Sequence, residues 1–228
     1  MSSLSSRLPP LAVLATGLLA LGLALVFFVV PDDADQGFSY RIFFFHVPIA
    51  LTAYACFGWG AWKALRHLQT KRGGYDLESY VAVHLGVIFG TLTLLTGSIW
   101  AKISWGLWWR WEEKQLVLFL VLFLFYCAYF MLRFSVEEGA QRANLSAVYA
   151  LFGVVLVPVS FFAIRLSQSN NIHPVALTSH GPNFHGWILV AFCVCLVGML
   201  VLGSALYHLE LLGKRLDARL RELREEAA

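Results

Sequence analysis

Between Trp100 and Leu116, in WAKISWGLWWRWEEKQL, five of the chain's eight tryptophans fall within twelve residues. The indoles of Trp100, Trp105, Trp108, Trp109 and Trp111 are interleaved with Lys102, Arg110, Glu112, Glu113 and Lys114. That much charge keeps the stretch out of a hydrocarbon core. Indole favours a membrane boundary because its ring is apolar while its N–H wants a polar partner, and an ordinary aromatic belt meets that preference with one or two rings per helix end. Trp105, Trp108, Trp109 and Trp111 come almost consecutively in what the sequence presents as one loop. Such density describes a surface built to hold a large flat ligand.

Seven histidines supply the other chemistry. His46, in FFFHVP, and His173, in NNIHPV, stand at the ends of apolar runs on the same side as the tryptophans. One histidine in such a place serves as a hydrogen-bonding group. Two beside an indole platform suit another task, since neutral imidazole nitrogen is a good axial ligand for haem iron and two imidazoles on opposite faces hold a macrocycle without covalent attachment. His180 and His185 share a loop with His173 and are reserve candidates. His67 and His208 fit interfacial roles at the opposite side, and His84, inside the third apolar run, fits a hydrogen bond to a neighbouring helix. The cysteines at 56, 127, 193 and 195 all lie inside apolar runs, which argues against a disulfide framework. The chain has no Cys-x-x-Cys-His, so haem would not be held through thioethers. Cys193 and Cys195, two apart on a helix, point to nearly opposite faces and do not chelate a metal together.

The elements that position these residues follow from composition. With 228 residues, 59% of them hydrophobic, and a mean hydropathy of +0.69, the chain is too apolar for a soluble domain. A net charge of +3 gives no reason to expect nucleic acid as a partner. Apolar runs at about Leu11 to Val30, Ile42 to Trp62, Tyr80 to Ala101, Gln115 to Leu132, Ser146 to Ile164 and Gly186 to Tyr207 are each of spanning length. The first is longer than the apolar region of a signal peptide and lacks a convincing small-x-small cleavage site. The expected fold is an all-α integral membrane bundle of six helices, with both termini on one side and the Trp-rich stretch as an extracytoplasmic loop. Residues 1–213 form the membrane domain and residues 214–228 a charged tail. Of the seventeen Lys and Arg residues, twelve fall on the side of the termini and five on the other, which puts the termini in the cytoplasm. Leu216, Leu220 and Leu223 lie at helical spacing and describe a short amphipathic helix. Gly86 and Gly90, four apart, suggest a close helix contact.

The stretch TGSIWAKISWGLWWRWEEKQL resembles the tryptophan-rich WWD signature of haem-handling proteins, and specifically the CcmC family of cytochrome c maturation. Thr96-Gly97-Ser98-Ile99-Trp100-x-Lys102, Trp105-Gly106-x-Trp108-Trp109-x-Trp111 and Phe45-His46-Val47-Pro48 carry the likeness, which runs from about Tyr40 to Leu211. The resemblance implies six spans, with His46 and His173 as outer haem-iron ligands and the five tryptophans as the platform for a transient, non-covalent haem b. His173 rests on a short Ile-His-Pro context. Glu112 occupies the position where the family usually has Asp, one methylene shorter. Arg41, Lys102, Arg110, Lys114 and Arg165 are the basic residues available to haem propionates. The implied partners are a periplasmic haem chaperone, a small membrane subunit and an ATP-binding-cassette transporter pair, with the lipid bilayer of the cytoplasmic (inner) membrane around the chain. No Walker motif is present, so ATP hydrolysis belongs elsewhere and the chain reads as a carrier and not an enzyme. The alternative, a WWD-family cytochrome c synthase that attaches haem to apocytochrome c, calls for a longer chain and an Asp-Pro-Lys-Glu-like continuation where Glu112-Glu113-Lys114-Gln115 stands. A b-type electron-transfer subunit would bury its histidine pairs within helices.

Overall fold

The structure, a computed structural model, describes residues 6, 8–166, 177–178 and 181–227. Six helices carry the chain: α1 (Leu8–Phe28), α2 (Phe43–Thr70), α3 (Gly73–Trp105), α4 (Lys114–Ser135), α5 (Ala140–Leu166) and α6 (Gly186–Glu226). All six are long and apolar enough to cross a membrane. In lipid each segment must satisfy its own backbone N–H and C=O groups, so runs of this length become helices. The protein is a multi-pass, all-α membrane protein, as expected. A five-residue 3-10 helix, Phe38–Ile42, leads into α2. A two-residue pairing, with Leu177 opposite Pro182 and Thr178 opposite Gly181, precedes α6.

The helices outrun their apolar stretches. α3 begins at Gly73, ahead of the expected Tyr80, and α6 continues unbroken for 41 residues to Glu226. The charged tail is therefore the last part of α6 and not a separate short helix. Apolar periodicity reports the portion in lipid, whereas helical hydrogen bonding continues until a cap or a breaker stops it.

α2 is central and packs against α3, α5 and α6, while α1 pairs with α6 and α4 with α5. In the mid-bundle core Phe57 stacks on Tyr126 with centroids 3.9 Å apart and rings within 2° of parallel. A β-carbon on Gly86 would come within 2.5 Å of the Phe57 ring, so glycine lets the ring lie against α3. The close helix contact read from Gly86 and Gly90 is present, Gly90 facing Phe123 of α4. Cys195 is buried with its sulfur against Gly22 of α1, whereas Cys193 is exposed, and all four cysteines are free thiols.

Ion pairs gather at the end of the bundle opposite the tryptophans. Arg133 of α4 makes a bidentate pair with Asp76 of α3 at 2.8 and 2.7 Å. Glu78 of α3 accepts Lys63 of α2 at 2.7 Å and Arg215 of α6 at 3.0 Å. His84 reaches Glu210 of α6 through Nδ1 at 2.9 Å, the neighbouring-helix hydrogen bond expected of it. His67 differs from expectation: it is 4% exposed, and its Nδ1–H donates to the Arg72 carbonyl at 3.2 Å, closing the end of α2. Away from these contacts the helices present apolar surface, with Phe28 88%, Met131 76% and Phe152 67% exposed. A bilayer is the solvent that suits them.

Candidate functional site

The tryptophans do not all share one loop. α3 continues through Trp105, and the chain leaves it at Gly106, whose φ of 77° is the left-handed conformation that ends helices. Gly106 N–H bonds back to the Lys102 carbonyl at 3.1 Å, and the Lys102 ammonium donates to the Gly106 carbonyl at 2.9 Å. Trp100 and Trp105 thus ride on the last turns of a rigid helix, their centroids 4.9 Å apart edge to face. Residues 106–113 form the connection, in which Trp109 and Trp111 meet at 5.8 Å. Trp108 and Trp111 remain 60% and 70% exposed, so indole surface is open on this end. The Trp109 indole nitrogen is buried with no hydrogen-bond acceptor among the described residues. A buried N–H without an acceptor costs about 1–3 kcal/mol, so this donor is suited to an incoming acceptor.

The segment after α1 closes over the same helix end. Asp33 Oδ1 accepts the backbone N–H groups of Asp35 and Gln36 at 3.0 and 2.8 Å, forming a turn that aims the Gln36 side chain at α3. Gln36 Oε1 then accepts the Trp100 indole N–H at 3.0 Å.

His46 lies in the first turn of α2 and leans on α3 one turn before Trp100. Its Nδ1 is 2.8 Å from the Thr96 hydroxyl, and a β-carbon on Gly97 would come within 2.9 Å of its Cε1. His46 and the Trp100–Trp105 pair therefore share one scaffold, the end of α3. At the head of α6, Phe184 is buried against Phe43 of α2 at 5.3 Å and Phe192 at 5.0 Å. Phe184, two residues before α6, is thus seated against the turn of α2 that carries His46. His173 and His180 lie outside the described residues, as does the side chain of Arg165. His185 is exposed at the N-cap of α6.

The carboxylates divide in a way the sequence did not announce. Glu112, at the position singled out, is exposed, whereas Glu113 is 2% exposed at the start of α4, its carbonyl accepting the N–H groups of Leu116 and Val117 at 3.0 and 3.2 Å. Glu113 is the N-cap residue of α4, with no side-chain cap hydrogen bond, and no sequence signal separates it from Glu112. Among the basic residues, Arg41 is bound to Asp32 and to the Val26 carbonyl, and Lys102 to its own helix end. Arg110 lies over the Trp105 ring at 6.0 Å, within the indole cluster.

The fold and site define a six-span membrane protein with an indole cluster and a histidine assembled at one end of the bundle. The chain belongs to the CcmC family, described as heme exporter protein C, whose family model matches residues 1–226. It is 34% identical over 155 residues to heme exporter protein C of Paracoccus denitrificans, covering 68% of this chain and 64% of that protein's length. The corresponding protein of Bradyrhizobium diazoefficiens is 30% identical over 218 residues, covering 95% of this chain and 81% of the relative. That of Haemophilus influenzae is 30% identical over 213 residues, covering 90% and 85%. The match thus spans less than two thirds of the Paracoccus protein but most of the other two.

Proposed function

We propose that this chain binds haem b non-covalently at the outer face of the cytoplasmic membrane and delivers it to a periplasmic haem chaperone for cytochrome c maturation. The observation that carries the reading is that one helix end, Thr96 to Trp105, bears both the contact to His46 and the first two indoles of the cluster. The donor set suits the cargo: an imidazole for iron, open indole faces for a porphyrin, and the buried Trp109 N–H with Arg110 for carboxylates. His173 supplies the second imidazole. Ligation by two imidazoles at an open surface also permits release, since one ligand can exchange while the other still holds. The periplasmic chaperone, a small membrane subunit and an ATP-binding-cassette transporter pair are the partners of this reading.

A visible spectrum of the purified protein tests it directly, with a low-spin, two-histidine haem signal as the expected result. Replacing Trp108 and Trp109 together by Ala removes stacking surface without touching a span. We expect about a tenfold or greater loss of haem affinity, from roughly 1 kcal/mol or more of stacking per ring beyond area burial. Unchanged haem content and transfer in that variant would return the tryptophans to an ordinary aromatic belt.

The same reading puts both termini in the cytoplasm. The helix ends joined by Arg133–Asp76, Lys63–Glu78 and Arg215–Glu78 carry the basic connections, and the Trp100–Trp111 cluster lies at the other end. A cysteine placed at Gly106, in a cysteine-free background, should react with a membrane-impermeant maleimide from the periplasmic side. Labelling from the cytoplasmic side alone would reverse the orientation.

A further inference from the structure

His46 touches α3 through a contact with no assigned purpose. The Thr96 hydroxyl has one proton, and its oxygen lies 2.7 Å from the Leu92 carbonyl and 3.2 Å from that of Thr93. Those two carbonyls compete with the imidazole for the one proton, and helical threonine habitually gives it to its own helix. What remains toward His46, 2.8 Å from Nδ1, is a hydroxyl lone pair. A lone pair facing imidazole nitrogen requires that nitrogen to carry the hydrogen. On that arrangement the ring is the Nδ1–H tautomer, and its one in-plane lone pair is on Nε2.

Ring orientation is fixed by a second contact. A β-carbon on Gly97 would stand 2.9 Å from His46 Cε1, closer than such atoms pack, so the imidazole lies against bare backbone at that turn of α3. Thr96 and Gly97 are adjacent, and between them they set the proton and the seat of one ring.

We propose that Thr96 is a positioning residue that holds His46 as its Nδ1–H tautomer on the Gly97 seat, so that Nε2 is the nitrogen presented to iron. The proposal rests on the haem reading, because the tautomer matters only if His46 is a ligand. Histidines that bind metals through one nitrogen characteristically donate the other N–H to an oxygen, and loss of such a partner costs about 10–100-fold in affinity.

The test begins without haem. Protein labelled with 15N-histidine and purified in detergent gives long-range proton–nitrogen spectra in which His46 is assigned by its disappearance in His46→Gln. At alkaline pH, with the ring neutral, Nδ1 should be the protonated nitrogen in the parent chain and in Thr96→Ser, which keeps a hydroxyl. Thr96→Val, of nearly the same shape, should lose that preference. A parent chain with the proton on Nε2, or a preference unchanged in Thr96→Val, would overturn the assignment. Haem titration then separates the two claims. Thr96→Val should bind about tenfold more weakly, and Thr96→Ser should recover most of the loss. If the tautomer is as assigned but His46→Gln binds haem as well as the parent, the ligand role of His46 is overturned and the tautomer assignment survives. Equal binding by Thr96→Val and the parent, with His46→Gln impaired, overturns the positioning role alone.

Discussion

A His46→Gly variant is expected to lose its low-spin haem spectrum and to regain part of it when imidazole is added. Loss of a partner to a ligating histidine costs about 10–100-fold in metal affinity, so loss of the ligand itself should exceed the upper end of that range. The rescue follows from the pocket wall. Gly97 leaves bare backbone where the ring lay, and the Thr96 hydroxyl remains able to accept the N–H of an exogenous imidazole. His173→Gly should behave in the same way, because each histidine completes the ligand pair. If His173→Gly keeps the two-histidine spectrum while His180→Gly or His185→Gly loses it, the second ligand is the other histidine of that loop. A spectrum indifferent to all four variants would move the haem site elsewhere.

The second large effect concerns stability and the opposite end of the bundle. Arg133→Ala is expected to lower unfolding stability by about 3–5 kcal/mol, the usual cost of leaving one member of a buried ion pair without the other. The pair is bidentate, and its side chains are 6% and 16% exposed, so solvent screens it little. Arg133 also lies over the Tyr80 ring at 4.8 Å, a contact the same substitution removes. Asp76→Leu with Arg133→Met, which removes both charges and keeps volume, should cost less than Arg133→Ala, because no orphan charge remains. Reversible unfolding in mixed detergent would measure the cycle. Additive single and double effects would mean that the two residues act separately.

The number of helices was legible in the sequence because six apolar runs of spanning length leave few alternatives. Their ends were less legible, since Lys63 to Thr70, Gly73 to Ser79 and Lys214 to Glu226 are helical without being apolar. The indole cluster was visible as composition, but its division was not. Gly106 decides that Trp105 belongs to α3 and Trp108 to the connection, and glycine inside WAKISWGLWW looks equally like loop or cap. His46 was found through its place beside Pro48 at the head of a span. Thr96 lies in the motif that carries the family likeness, but its contact with His46, fifty positions away, could not be read there, because a threonine that bonds its own helix carries no local mark of a second partner. The burial of Glu113 beside an exposed Glu112 has the same origin: adjacent acidic residues look alike in a sequence, and the direction of the chain entering α4 separates them.

α6 is one helix of 41 residues. At about 1.5 Å per residue it is roughly 60 Å long, about twice the thickness of a bilayer's hydrocarbon core. Its N-terminal end is anchored where Phe184 and Phe192 meet Phe43, and Arg215 is still tied to Glu78 beyond the middle. The residues after that point continue the same helix, whose rotational phase is set inside the bundle. Leu216, Leu220 and Leu223 therefore face a direction dictated by residues far from them. One residue inserted after Arg215 would turn that face by about 100° while leaving every contact in the bundle intact. Whatever meets the tail meets it at a fixed angle, and the compass for that angle is the packing of aromatic rings at the other end of the molecule.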